Sequence, residues 1–324
     1  MPNAFIQLRR TSFIATLMAV AILAAPAFAQ ETRSFTDDAG RTVEIPVNPQ
    51  RIASLHDLFF TIPLIELGAP PVGSHGRAED DGRPYLRSAK MLTGFDYDNT
   101  GIAFLGTGTE IDPEKVAAVE PDLIILSNNQ KAEQYEQIAP TILIDFVTRD
   151  KYEIYALLAE LTGTEQALAR LDGRYEQQIA QIKRLVDTPN VSVNVFAALE
   201  GQIRVYRHFA SLGRVLRDAG YAMPEAVRDI PDGENASFSA EMLPEMDADV
   251  IFLTYLAERG ETAQDAYAQV EALVPGFCDY LTACKAGNLV AIPRDETTST
   301  SYNALSMMAF TVLTATSPRP AAAQ

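Results

Sequence analysis

Several signatures are missing from this chain, and each absence removes a class of function. It contains no G-x-S-x-G elbow, no H-E-x-x-H pair, no glycine-rich loop of the phosphate-cradling kind and no nucleophile set beside a base. Hydrolase, metalloprotease and nucleotide-binding readings therefore fall away, and no enzyme is expected. Basic residues are scarce, with 26 Lys and Arg against 43 Asp and Glu and a net charge of −17. That balance excludes nucleic acid and anionic membrane surfaces as partners. The three histidines, His56, His75 and His208, sit in separate segments with no cysteine or carboxylate cluster to join them. Neither a bound metal nor a permanently held cofactor is expected.

Long apolar runs are missing too, except near the start. Arg9 and Arg10 precede an apolar stretch over residues 13–25, and Ala27, Phe28 and Ala29 fit a small-x-small cleavage rule. The stretch is shorter than the ~20 residues of a membrane span. Residues 1–29 are thus read as a cleavable signal peptide. Its removal takes away Arg9 and Arg10 and no acids, moving the charge from −17 to −19. No cysteine lies beside Ala29. The expectation is a periplasmic protein that is not a lipoprotein.

What the chain does have is a repeat. Residues 112–126 (DPEKVAAVEPDLIIL) and 239–253 (SAEMLPEMDADVIFL) share four positions without gaps: Glu114 with Glu241, Asp122 with Asp249, Ile124 with Ile251, and Leu126 with Leu253. Each copy opens on a good N-cap residue, Asp112 or Ser239, and ends in a buried-strand run. Two similar lobes follow, each showing an acidic helix start. Strand and helix signals alternate around the repeat, which indicates parallel sheets flanked by helices. Residues 74–110 read as a long polar connection.

Between the halves, Leu168, Leu171, Tyr175, Ile179, Ile182 and Val186 recur at three- and four-residue steps. They predict one helix from Thr164, as cap, to about Val186, spanning ~35 Å. The expected class is α/β, with two similar lobes joined by a single long backbone helix and a ligand cleft between them. The boundaries are 30–160 for the N-terminal lobe, 161–188 for the connecting helix and 189–317 for the C-terminal lobe. Residues 318–324 form a disordered tail.

Cys278 and Cys284 are the only cysteines. In an oxidising compartment a pair this close is expected to form a disulfide. One straight helix would put them on different faces, so a bridge requires a bend between them.

Residues 35–46 (FTDDAGRTVEIP), followed by 49–55 (PQRIASL), resemble the opening of periplasmic iron–siderophore binding proteins of ABC importers, and the first repeat copy is similar to the segment that follows there. The resemblance implies a monomeric receptor that binds a ferric siderophore or similar iron chelate and delivers it to the permease subunits of an ABC importer. In that family a glutamate on each lobe pairs with permease arginines, and the matching positions are Glu114 and Glu241. For the cargo, the loops past the strand ends offer Arg77, Arg207 and Arg294 for charge, and Tyr206, Tyr255 and Tyr302 for hydroxyl and ring contacts. One departure stands out. Where hydroxamate-binding relatives carry an arginine, two residues past Gly106, this chain has Gly108. Hydroxamate, catecholate and carboxylate chelates all stay open, with haem or cobalamin as the alternative cargo and a direct metal-ion binder, a periplasmic enzyme or a sensing protein further behind.

Overall fold

The computed structural model describes residues 31–108, 110–128 and 130–317. The expected signal peptide and C-terminal tail lie outside these residues. Among the described residues, strands form a two-stranded hairpin, a seven-stranded sheet and a five-stranded sheet. The hairpin pairs Thr32–Thr36 with Thr42–Pro46.

In the N-terminal lobe Ile52–Ser54 lies between the parallel strands Gly73–Ala78 and Leu123–Leu126. Ala103–Thr107 and Thr141–Leu143 extend the sheet on either side. The two strands Gly73–Ala78 and Ala103–Thr107 fall where the sequence predicts a connection. They read as loop because Gly73, Gly76 and Gly106 interrupt the apolar pattern. Gly76 is required there: an added Cβ would stand 2.8 Å from the Tyr85 carbonyl oxygen.

The C-terminal lobe is mixed rather than wholly parallel. Val193–Leu199 runs parallel to Val250–Tyr255, which runs parallel to Leu289–Pro293. On its other side it turns back on Gln202–Tyr206 through Glu200 and Gly201. Both turn residues have positive φ, 53° and 76°, which suits the right-handed strand twist of a two-residue hairpin.

The repeat now has a structural meaning. Ile124 and Leu126 point to an outer core with Val116, while Leu123 and Ile125 face the centre of the molecule. Ile251 and Leu253 likewise meet Leu243 and Met246 outside, while Val250 and Phe252 face inward. Asp122 accepts from the backbone N–H of Gln50 (2.7 Å) and Arg51 (2.9 Å), just before the neighbouring strand. Asp249 does the same for Ser192, at 2.8 Å to N–H and 2.7 Å to the hydroxyl. Each copy thus encodes one strand, its outer packing and the clamp on its neighbour.

Helix Glu165–Leu185 joins the halves. Its 21 residues rise ~32 Å, and Tyr175, Ile179 and Ile182 are buried along one stripe. Thr164 precedes it, but its hydroxyl pairs with that of Thr162 (2.8 Å) instead of capping the helix. A preceding helix, Lys151–Thr162, ends at Gly163 with φ 66°. The terminal helix Tyr302–Thr316 packs on the connecting helix and on Ala210–Ala219. One apolar core runs from Ile52 and Leu123 through Ile182 to Val193, Phe252 and Val312, so both sheets and the connecting helix share a single interior.

Candidate ligand site

Loops past the carboxyl ends of parallel strands are where open α/β sheets bind ligands. On the N-terminal side the strand ending at Ser54 delivers His56 and Asp57, and Gly73–Ala78 delivers His75 and Arg77. Asp57 is fully buried and held by Arg87, whose Nε donates at 2.9 Å and whose second nitrogen also bonds it. His75 Nδ1 lies 3.4 Å from the same carboxylate. Burial alone would raise the Asp57 pKa, but the Arg87 fork and His75 outweigh it and hold the group ionised, well below the usual carboxylate range. His56 stacks on Phe59 (4.8 Å) and Phe146 (4.6 Å) and accepts from the Phe59 N–H. Burial lowers its pKa to about 3, so the ring is neutral at physiological pH.

On the C-terminal side a cavity of about 480 Å³ opens at the carboxyl ends of Val193–Leu199, Val250–Tyr255 and Leu289–Pro293. Arg204, Arg259 and Arg294 line it with Glu200, Glu261 and Gln269. Glu261 is spent locally, accepting from Leu256 N–H (2.7 Å) and from Gln269 (3.0 Å). The Nε groups of Arg204 and Arg294 are buried without hydrogen-bond partners among the described residues. A second cavity, of about 490 Å³, lies between the lobes, with Tyr85, Lys90 and Asp96 on one wall and Glu258, Asp295 and Glu296 on the other. The short helix Arg294–Thr298 borders both cavities.

The residues expected to meet cargo separate into two groups. Arg77 is exposed on the N-terminal wall, and its charge acts on Glu258 across the gap. Arg294 lines the basic cavity, its guanidinium 5.9 Å from the centre of the Tyr206 ring. The other four are wholly or partly packed inside the protein, although the Tyr206 hydroxyl has no hydrogen-bond partner among the described residues. Tyr206 is 4% exposed beneath Arg294, and burial raises its pKa. Arg207 donates to the carbonyl oxygens of Arg228 and Ile230. Tyr255 packs on the outer core of its lobe. Tyr302 bonds Asp172 of the connecting helix through its hydroxyl, and its N–H donates to Glu66 at 2.9 Å.

The sequence reading did not single out Arg204, Arg259, Arg87, Glu258 or Glu296. For Arg204 a signal existed: Ile203 and Val205 are apolar, and alternation places Arg204 on the face of Tyr206. Two of the three histidines, His56 and His75, come together, their rings stacked with centroids 5.7 Å apart. His208 pairs with Asp232 in the C-terminal lobe, and among the described residues no three His, Cys, Asp or Glu side chains could hold a metal ion.

Glu114 and Glu241 are both exposed, and among the described residues neither carboxylate has a partner. Cys278 and Cys284 are disulfide-bonded with Cα atoms 5.1 Å apart. Cys278 sits in the turn Phe277–Asp279 and Cys284 in Thr282–Lys285, with extended Leu281 supplying the bend between them.

Two α/β lobes on a helical spine, with an arginine-lined cavity at the strand ends of one of them, have the architecture of a solute-binding receptor. The periplasmic binding protein family profile matches residues 94–296, and the chain belongs to that family. Members are transport receptors rather than enzymes; they bind iron chelates and work with ABC permease components. The chain is 28% identical over 244 residues to the probable siderophore-binding lipoprotein YfiY of Bacillus subtilis, covering 71% of each. It is 25% identical over 266 residues to the putative ABC transporter substrate-binding lipoprotein YhfQ of the same organism, covering 76% of this chain and 80% of that one. A solved Bacillus subtilis structure, described as a FhuD-fold binding component of a Fep/Fec-like ferrichrome ABC transporter, superposes with a TM-score of 0.70 at 20% identity. It covers 87% of this chain and 99% of its own. That likeness establishes the fold.

These relatives correct one expectation. YfiY and YhfQ are named lipoproteins, which overturns the reading of a periplasmic protein that is not a lipoprotein. That reading rested on the absence of cysteine beside Ala29, in a segment outside the described residues.

Proposed function

We propose that this protein captures a ferric siderophore, or a similar iron chelate, outside the cytoplasm and delivers it to an ABC permease without chemistry on the cargo. The supporting observation is the arginine-lined cavity at the strand ends of the C-terminal lobe, in a chain whose family binds iron chelates. Arginine forks suit the oxygen-rich, often anionic faces of such chelates. Arg294 and Arg204 are assigned to this contact from the C-terminal side, and Arg77 is assigned to the cargo from the N-terminal wall. Glu114 and Glu241 are assigned to the permease. Rim charges of this kind set orientation and association rate more than affinity. The receptor acts as a monomer, and the Cys278–Cys284 bond suits an oxidising compartment.

The test exploits the 12 tyrosines and the absence of tryptophan. Tyrosine fluorescence is titrated with ferric chelates, iron-free siderophores, haem and cobalamin. Saturable quenching by a ferric chelate is expected. Tight binding of haem or cobalamin with no ferric chelate bound would falsify the cargo assignment. Reversing Glu114 and Glu241 to Arg is expected to leave cargo affinity unchanged and abolish uptake; loss of cargo binding as well would remove them from the permease contact.

A further inference from the structure

The two cavities bordered by helix Arg294–Thr298 carry opposite charge. In the inter-lobe cavity the lining carboxylates are Glu79, Asp96, Glu258, Asp295 and Glu296, against the single cation Lys90. Lys90 is engaged by Asp98 at 2.9 Å. Two guanidiniums outside the lining act on Glu258, Arg87, which is also bonded to Asp57, and Arg77, and burial and the Asp295 charge outweigh them. Asp96 is satisfied by the N–H groups of Leu86 (2.9 Å) and Tyr97 (2.8 Å), and Asp295 accepts from the Glu258 N–H (3.3 Å).

Glu296 is different. It lines the cavity at 8% exposure, and its Oε2 is buried with no hydrogen-bond partner among the described residues. An unpaired buried carboxylate is a standing penalty unless a partner arrives. Burial raises the Glu296 pKa, its own backbone N–H offsets part of that, and the Asp295 charge raises it further, while burial and Asp295 likewise raise that of Glu258.

We propose that this cavity seats a cationic, amine-bearing arm of the cargo, with Glu296 as the carboxylate that selects for it. A protonated primary amine supplies the donors Glu296 lacks and relieves repulsion among Glu296, Asp295 and Glu258. A bare metal ion does not fit, because among the described residues no three ligating side chains converge. The adjoining arginine cavity would hold the oxygen-rich ferric centre, so the preferred chelate is one with an anionic or neutral iron core and a cationic tail. This inference rests on the ferric-chelate reading and adds a sign to it.

The experiment uses hydroxamate, catecholate and carboxylate ferric chelates, each as the free-amine form and its N-acetylated counterpart, titrated against the wild-type chain and Glu296→Gln. Glutamine preserves shape and removes the charge. Within the class that binds, the free amine is expected to bind at least about tenfold tighter. Glu296→Gln is expected to erase that preference while leaving the acetylated form unaffected. Equal affinity for the two forms, or a preference surviving in Glu296→Gln, overturns the proposal. A separate arm titrates butylammonium alone by thermal shift. Stabilisation of the wild type but not of Glu296→Gln supports the cationic seat even where no ferric chelate binds, an outcome that would sink the chelate reading instead. No shift in either protein counts against the seat.

Discussion

Around Asp57 the N-terminal lobe pairs its buried polar groups, whereas around Arg294 the C-terminal lobe leaves several of its own open. Asp57, Arg87 and His75 form a closed network with no exposed charge on the aspartate. Across from them the Tyr206 hydroxyl, the Thr254 hydroxyl and the Arg294 Nε are buried without partners among the described residues, as is Glu296 Oε2. Closed networks rigidify, and open ones wait for something to complete them. On the proposed function, the N-terminal wall around Asp57 would then be the fixed side and the C-terminal wall the side that discriminates among cargoes.

Breaking the closed side has the largest expected effect. Asp57→Ala strands Arg87 and His75 in the interior and should destabilise by about 3–5 kcal/mol in urea unfolding. Arg294→Ala, on the open side, should reduce cargo affinity while moving the midpoint far less. Equal destabilisation by the two would erase the contrast.

Acid should act on the closed side as well. The folded pKa of His56 is depressed to about 3, against ~6.5 unfolded. The unfolded state thus takes up the proton first, and stability is full above ~6.5 and erodes as pH falls toward about 3. The neighbouring aspartate adds to the acid sensitivity only lower down: its depressed pKa contributes stability above ~3.9 that is lost below it. Denaturant midpoints measured between pH 7 and 4 should fall, and His56→Phe should flatten that slope. An unchanged slope would place the acid sensitivity elsewhere.

The smallest contrast lies in the repeat itself. The Asp112 side chain accepts from the Glu114 N–H at 2.9 Å and starts an α-helix, Pro113–Ala118. Ser239 makes no side-chain cap bond, and the turn it opens, Ala240–Met246, is 3₁₀ with Pro244 inside. Asp112→Ala should cost about 1 kcal/mol, and Ser239→Ala should stay within about 0.5 kcal/mol. Similar losses would mean that both caps act in solution.

The same comparison explains how much could be read from the chain. Repeats, buried strands and the apolar stripe of the connecting helix were legible because each is a local pattern, and Asp122 and Asp249 recur because each performs the same clamp. Strands Gly73–Ala78 and Ala103–Thr107 were not, since their glycines and polar residues are set by close approach to Tyr85 and Glu110. The cleft residues were half legible. Arg294 does lie just past the strand Leu289–Pro293 and Arg77 lies within Gly73–Ala78, but which polar side chains are spent internally depends on partners far along the chain. Tyr302 reaches Asp172 and Glu66, and nothing near Tyr302 announces either.

One interior threads both sheets and the connecting helix, and that has a consequence for traffic. A core shared in this way should resist wide opening of the jaws, so a vacant copy is expected to keep nearly the same outline as a laden one. Vacant copies would then queue at the importer alongside laden ones, and raising the amount of receptor beyond the supply of iron should slow uptake rather than speed it.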